Sequence, residues 1–216
     1  MGTDINGFIE CRAWFPRDED GKPAWQAAVA LDLLNTTRNY DAFGCLFGVR
    51  NHANFRPLAA DRGLPPDASQ TVRAAVDTYG TTFYGTTWIT WAEVRAVDWA
   101  EAAEAPDSRL HEYRRTPDGL TLVGKSAWNR RFGETLGIPE PVPTPGPGSG
   151  SEPGEVRTWP EGSEWVVDDV VYRSERMDRR DAVREDGEWK PVWTVMEALA
   201  SQHGDDNVRL VVWFDY

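Results

Sequence analysis

Eleven of the 216 residues are tryptophan, spread from Trp14 to Trp213. An indole ring has a large apolar surface to bury and an N–H that needs an acceptor. A chain this rich in tryptophan must build either an unusually aromatic core or a surface that grips something flat. The core is the heavier demand, because large aromatics chiefly serve cores and interfaces. With 216 residues, 40% hydrophobic and 27% charged, the chain has the composition of a globular protein and the length for one good core.

The charge balance narrows the partners. Net charge is −12. Nucleic-acid binders need a basic footprint to collect phosphate contacts, so DNA, RNA and anionic membranes are not expected partners. No apolar run approaches the ~20 residues of a membrane span, and no secretory signal is visible at the N-terminus. The two cysteines, Cys11 and Cys45, stand in apolar surroundings and read as buried free thiols. The three histidines, His52, His111 and His203, are scattered without metal-ligand spacing, so neither metal nor cofactor is expected. A cytoplasmic protein is the expectation.

Residues 139–154, PEPVPTPGPGSGSEPG, hold six prolines and four glycines. Such a stretch predicts a flexible loop or linker without regular structure, lying within a single α+β domain of residues 1–216. Phe8–Phe15 and Ala24–Leu31 read as a hairpin around the turn residues Asp18 to Lys22, with a helix over Trp25–Leu34 as the alternative. A short helix is expected over Tyr40–Val49, and another, capped by Asp67 or Ser69, running to about Thr78. Thr81–Thr87 reads as a polar loop or short strand. Thr90-Trp91-Ala92-Glu93 fits a capping box, which starts a helix at Trp91. Arg109–Gly124 suggests a hairpin turning at Pro117-Asp118-Gly119, and Ser163–Val171 a strand. Trp189, Val192, Trp193, Met196, Leu199 and Ala200 recur at helical spacing before a stop at Gly204. Val208–Phe214 is the clearest strand. The mixture has no βαβ rhythm. It predicts an α+β fold: a mainly antiparallel sheet pairing the N- and C-terminal strands, flanked by short helices.

Gly119–Ser126, GLTLVGKS, matches the phosphate-loop pattern G-x-x-x-x-G-K-[ST]. Its context does not fit, because a phosphate loop follows a buried strand and opens a helix. Here a polar, turn-like segment precedes it, and Leu120–Val123 have strand propensity. A hairpin strand ending near Gly124 explains the same letters.

Three stretches carry residues that folding alone does not obviously require: Asp4-Ile5-Asn6 with Glu10, Arg38-Asn39-Tyr40-Asp41, and Asp61-Arg62-Gly63-Leu64-Pro65. Arg38 and Arg62 have the forked geometry that holds phosphate or carboxylate. Asn39 and Tyr40 offer hydrogen bonds, and Asp4 is a possible cap, ligand or base. Together with Trp88-x-Thr90-x-x-Glu93 and the closing Val208-Arg209-x-x-x-x-Phe214-Asp215, these motifs resemble a family of uncharacterised proteins encoded by bacteriophages and prophages. Its members open with M-G-C-D-I-H and end with a V-R-I-V-F-x-F-D strand. The resemblance spans most of the chain outside about 100–160. This chain has Asn6 where the family has histidine, and Thr81–Thr87 lacks the family's D-x-H-S-x-S. The positions that carry over as candidate ligand-binding residues are Asp4, Arg38, Asn39, Tyr40, Arg62, Trp88 and Glu93.

Two functions follow as expectations. The first is a phage-type accessory protein, not an enzyme, that binds a host protein or sequesters a small molecule, with counter-defence as one such role. The second is an enzyme acting on a nucleotide or phosphorylated metabolite, with Asp4 or Glu93 as the acid–base group and Arg38 and Arg62 on the phosphate. The second demands that Asp4, Arg38 and Arg62 meet in one pocket.

Overall fold

The computed structural model describes residues 2–18, 20–79, 82–147 and 154–215, apart from the side chain of Tyr79. The fold is α+β, and the first and last strands pair. Strand β1 (Asp4–Arg17) turns into β2 (Pro23–Ala30), and β10 (Val208–Asp215) and β3 (Tyr84–Thr90) complete an antiparallel sheet of order β2-β1-β10-β3. Asp4 lies opposite Asp215 and Cys11 opposite Val208. Gly7 permits this close pairing, since a Cβ there would stand 2.2 Å from the Val211 carbonyl oxygen.

Both faces of this sheet are covered, which is why β10 is an almost unbroken apolar run rather than an alternating one. Val208, Leu210, Val212 and Phe214 join the larger core. That core also takes in helices α1 (Tyr40–Phe47), α3 (Trp91–Arg95) and α6 (Lys190–His203). Val211 and Trp213 face the other way, toward Val72 of helix α2 (Gln70–Tyr79). Burying one such large side chain contributes about 1.5–3 kcal/mol. Tryptophan serves mainly these interiors, and Trp159, Trp189 and Trp213 are almost fully buried. Trp14, 78% exposed at the outer end of the β1–β2 arm, stands in solvent with its neighbour Phe15.

A second antiparallel sheet comprises β4 (Arg109–Thr116), β5 (Gly119–Ala127), β8 (Glu164–Val167) and β9 (Val170–Arg173), in the order β5-β4-β9-β8. Its core is Leu110, Ile138 and Trp159, with Phe132 of helix α4 (Arg130–Leu136) packed against them. The two sheets are tied through loops: Ser108 N donates to His52 O at 2.8 Å, and Asn54 Nδ2 to Pro106 O at 2.6 Å.

Local signals in the sequence act where they stand. Thr90 and Glu93 form the reciprocal capping box, and α3 starts at Trp91. Ser69 Oγ accepts from Val72 N and caps α2. The 25–34 segment is strand followed by a single 3-10 turn at Leu31–Leu33, so the helical alternative does not hold. Ser163–Val171 is not one strand: it is the β8–β9 hairpin, turning at Asp168, which adopts the left-handed backbone (φ 55°) that aspartate tolerates.

The proline-rich stretch also departs from expectation. Strands β6 (Val142–Gly146) and β7 (Gly154–Thr158) form a two-stranded ribbon, so part of it is regular; residues 148–153 lie outside the described residues. Pro143 and Pro145 are two apart, so the N–H groups they lack would both point away from β7, and the ribbon loses no hydrogen bond to them. Among the described residues no helix is long and apolar enough to cross a membrane.

Candidate functional site

The end of the first sheet where β1 begins, β3 begins and β10 finishes gathers polar side chains from distant parts of the chain. Thr3 is fully buried there. Its backbone N–H donates to Tyr40 Oη at 3.0 Å, its hydroxyl lies 3.0 Å from Tyr84 Oη, and Arg50 Nε donates to that hydroxyl at 3.0 Å. Asp4, the next residue, receives a two-pronged hydrogen bond from Arg38 at 2.6 and 2.8 Å. That hydrogen bond holds the Asp4 carboxyl below the usual range.

Beside Thr3 opens a cavity of about 940 Å³. Its wall is the loop that follows α1, from Gly48 to Arg62, completed by Tyr84 and Gly85 of β3, by Val156 of β7 and by Pro147, which follows β6. Arg50, Asn54 and Asp61 in this wall have left-handed backbone (φ 54°, 60° and 52°). Asparagine and aspartate tolerate that conformation; arginine does so at a cost. Asn51 holds the loop closed by hydrogen bonds in both directions with Phe55, and buried Asn54 ties it to Pro106 and Ser108.

Three arginines line the cavity, and they are not equivalent. Arg56 is paired with Glu104 at 2.5 Å and Arg62 with Glu93 at 2.8 Å. Arg50 makes no ion pair, and its terminal nitrogens have no hydrogen-bond partner, among the described residues. The wall is mixed: Pro57, Leu58 and Val156 supply apolar patches among the polar groups, and Phe47 and Val49 lie buried behind it.

The seven residues singled out from sequence do not form one site. Asp4, Arg38 and Tyr40 share the Thr3 corner. Asn39 caps α1 through Ala42 N at 3.0 Å and donates to Ala182 O and Glu188. Arg62, Trp88 and Glu93 make a separate group: Arg62 donates to Trp88 O and Glu93, and its guanidinium lies 5.2 Å from the Trp88 ring centroid. Burial alone would raise the Glu93 pKa; the bonds from Arg62 and Thr90 outweigh it and leave it lowered. Thr90 pairs with Arg209, which pairs with Glu10, six residues along β1 from Asp4. At ~3.3 Å per residue, the Asp4 and Thr90 ends of the sheet are about 20 Å apart. Asp4 and Arg38 pair with each other, and of the three residues expected to share a pocket only Arg62 lines the cavity. Each of the two arginines is taken by a nearby carboxylate, Arg38 by Asp4 and Arg62 by Glu93.

Lys125 is likewise not in a phosphate loop. It sits on strand β5, and its ammonium bridges Asp41 at 2.8 Å and Asp107 at 3.2 Å. Arg109 completes this junction by binding both aspartates. His111 faces Asp107 through Nε2 (3.2 Å) and Glu175 through Nδ1 (2.7 Å). Burial would lower the His111 pKa, but the bonds to the two carboxylates outweigh it and leave it raised. When protonated, the imidazole donates from both ring nitrogens. This network clamps the second sheet to α1, with Arg109 and Lys125 each set between Asp41 and Asp107. Among the described residues no three His, Cys, Asp or Glu side chains are grouped to hold a metal ion.

Sequence reasoning missed Thr3, Arg50 and Tyr84. The one available signal was position: Arg50-Asn51 follow the Gly48 that ends α1, at the start of a loop of Asn, Pro, Asp and Gly. No family model, no curated protein and no solved structure matches the chain.

Proposed function

We propose that this chain is a small non-enzymatic accessory protein that holds a small molecule in the cavity between the 48–62 loop and the start of β3. The observation that carries this reading is the wall itself, where Arg50, Asn54 and Asp61 all keep left-handed backbone within one short loop. Such conformations cost on the order of 1–3 kcal/mol for a residue like arginine, persist only where the surroundings over-determine them, and gather at ligand sites. The volume of about 940 Å³ falls in the range of small-molecule sites. The phage resemblance and the acidic balance support action in a host cytoplasm, where sequestering a metabolite is one way to blunt a defence.

The test is thermal unfolding of the full chain against a metabolite panel that spans anions, cations and neutral compounds. A ligand at a hundred times its Kd stabilises by about 2.7 kcal/mol, which raises Tm by roughly 5–10 °C for a chain of this length. If no class moves Tm, the reading is wrong. Gripping a host protein is the second reading, favoured by the aromatic pair Trp14 and Phe15, 78% and 76% exposed on the β1–β2 arm. The enzymatic reading draws less support, because Asp4 and Arg38 pair with each other and neither lines this cavity.

A further inference from the structure

We infer that the cavity ligand is an amphipathic monocarboxylate, its carboxylate held by Arg50 and its apolar body by the cavity wall. The inference rests on the binding reading above and adds the chemical class. The argument is one of charge. Of the three cavity arginines, Arg56 and Arg62 are neutralised by Glu104 and Glu93, which are not part of the lining. Arg50 alone of the three has no ion-pair partner among the described residues, and it stands half-buried beside an open volume.

Its Nε is tied to the Thr3 hydroxyl, which orients the guanidinium and leaves the terminal nitrogens as donors. A guanidinium edge of this kind matches the two oxygens of a carboxylate. A phosphate monoester carries close to two negative charges at neutral pH, one more than Arg50 balances. The acid in the lining, Asp61, is exposed, has no ion-pair partner among the described residues, and repels a dianion about twice as strongly as a monoanion. Beyond the anchor the half-buried Pro57, Leu58 and Val156 give the wall an apolar patch that suits an aliphatic or aromatic body. In a chain of net charge −12, long-range steering does not favour anions. Selection must therefore come from this one local contact together with apolar burial.

The experiment is isothermal titration and thermal unfolding of the full chain with matched ligands on the same skeletons: phenylpropionate and octanoate, their primary amides, their amines, and the corresponding phosphate monoesters. The expected result is binding of the carboxylates, at least tenfold weaker for amides and phosphate monoesters. Arg50→Gln should weaken carboxylate binding at least tenfold. Arg50→Lys, which keeps the charge but loses the fork, should fall between the two. Arg50→Asn tolerates left-handed backbone and guards against a folding defect in the glutamine variant. Arg114→Gln, on an exposed part of β4, is the control that should not change binding. If amides, amines or phosphate monoesters bind and carboxylates do not, the assignment of class is overturned while the binding reading survives. Carboxylate binding indifferent to Arg50→Gln and Arg50→Asn would overturn Arg50 as anchor. If neither these ligands nor the wider metabolite panel binds, both readings fall.

Discussion

Replacing Arg209 by methionine is expected to be the most destabilising single change in this protein that leaves side-chain volume nearly constant. Arg209, on β10, is almost fully buried. It donates to Glu10 Oε2 at 2.7 Å, to Asp67 Oδ1 at 2.7 Å and to the Asp67 carbonyl. Its guanidinium also lies 3.9 Å from the Trp25 ring centroid. Glu10 is its direct cross-strand partner and is fully buried, with Ser69 N–H as its other donor. Arg209→Met strands the Glu10 carboxylate, which costs about 3–5 kcal/mol, and removes a cation–π contact worth about 1–2 kcal/mol. Against a total stability of about 5–15 kcal/mol, that is a third or more of the whole.

Glu10→Met should cost less, about 1.5–3 kcal/mol, because Asp67 remains to pair with Arg209. The double variant Glu10→Met/Arg209→Met should return to within about 2 kcal/mol of the parent, since a buried pair exchanged for apolar groups of similar volume is close to neutral. The assay is urea unfolding followed by far-UV circular dichroism, with tryptophan fluorescence as the second probe of two-state behaviour. An Arg209→Met cost below about 1 kcal/mol, or strictly additive single variants, would refute the claim that this pair is a coupled unit.

Other expectations are more local. His111 has a raised pKa in the folded state, so its contribution to stability is fully present below the ordinary value of 6.5 and is lost as pH rises through the folded value. The parent should therefore lose Tm relative to His111→Gln across and above neutral pH, and parallel Tm curves from pH 5 to 9 would rule this out. Cys45 is buried and its thiol is pushed up to about 11; with Cys11 also buried and raised, neither should react with a thiol reagent in the native state, although both should once urea is added. Lys125→Met should lower stability by about 1–3 kcal/mol, because it removes a charged hydrogen-bond donor from Asp41 and Asp107. ATP with magnesium should shift the Tm of neither parent nor variant; a shift in the parent that the variant loses would revive the phosphate loop. Alanine at Trp14 and Phe15 should leave Tm within about 1 °C, because side chains so exposed contribute little to folding, and a large drop would mean that the arm packs on the body.

Much of the fold was legible because its signals are local. The Thr90–Glu93 box needs only residues three apart, and Gly204 stops α6 by its own backbone freedom. The turn near Gly119 is set by Pro117 and Asp118 beside it. The candidate site was half legible. Asp4, Arg38 and Tyr40 were found as residue types suited to recognition, but the pairing of Asp4 with Arg38 uses up the charge that made both look available. Arg62 and Glu93 were likewise found, and likewise cancel each other. Arg50 escaped notice because nothing in its neighbours in sequence distinguishes a paired arginine from an unpaired one.

The order of residues alone determined that the chain would be acidic and tryptophan-rich, would alternate short strands with short helices, and would carry a strand at each end. Tertiary structure decided which charges remain uncompensated. The pairing of β1 with β10 placed the Asp4 and Thr90 ends of one sheet about 20 Å apart, dividing seven candidate residues into separate groups. The same pairing put Thr3 within reach of Arg50, 47 positions away. Charge compensation depends on distances through space, and those follow from strand register and loop closure, which no local pattern encodes.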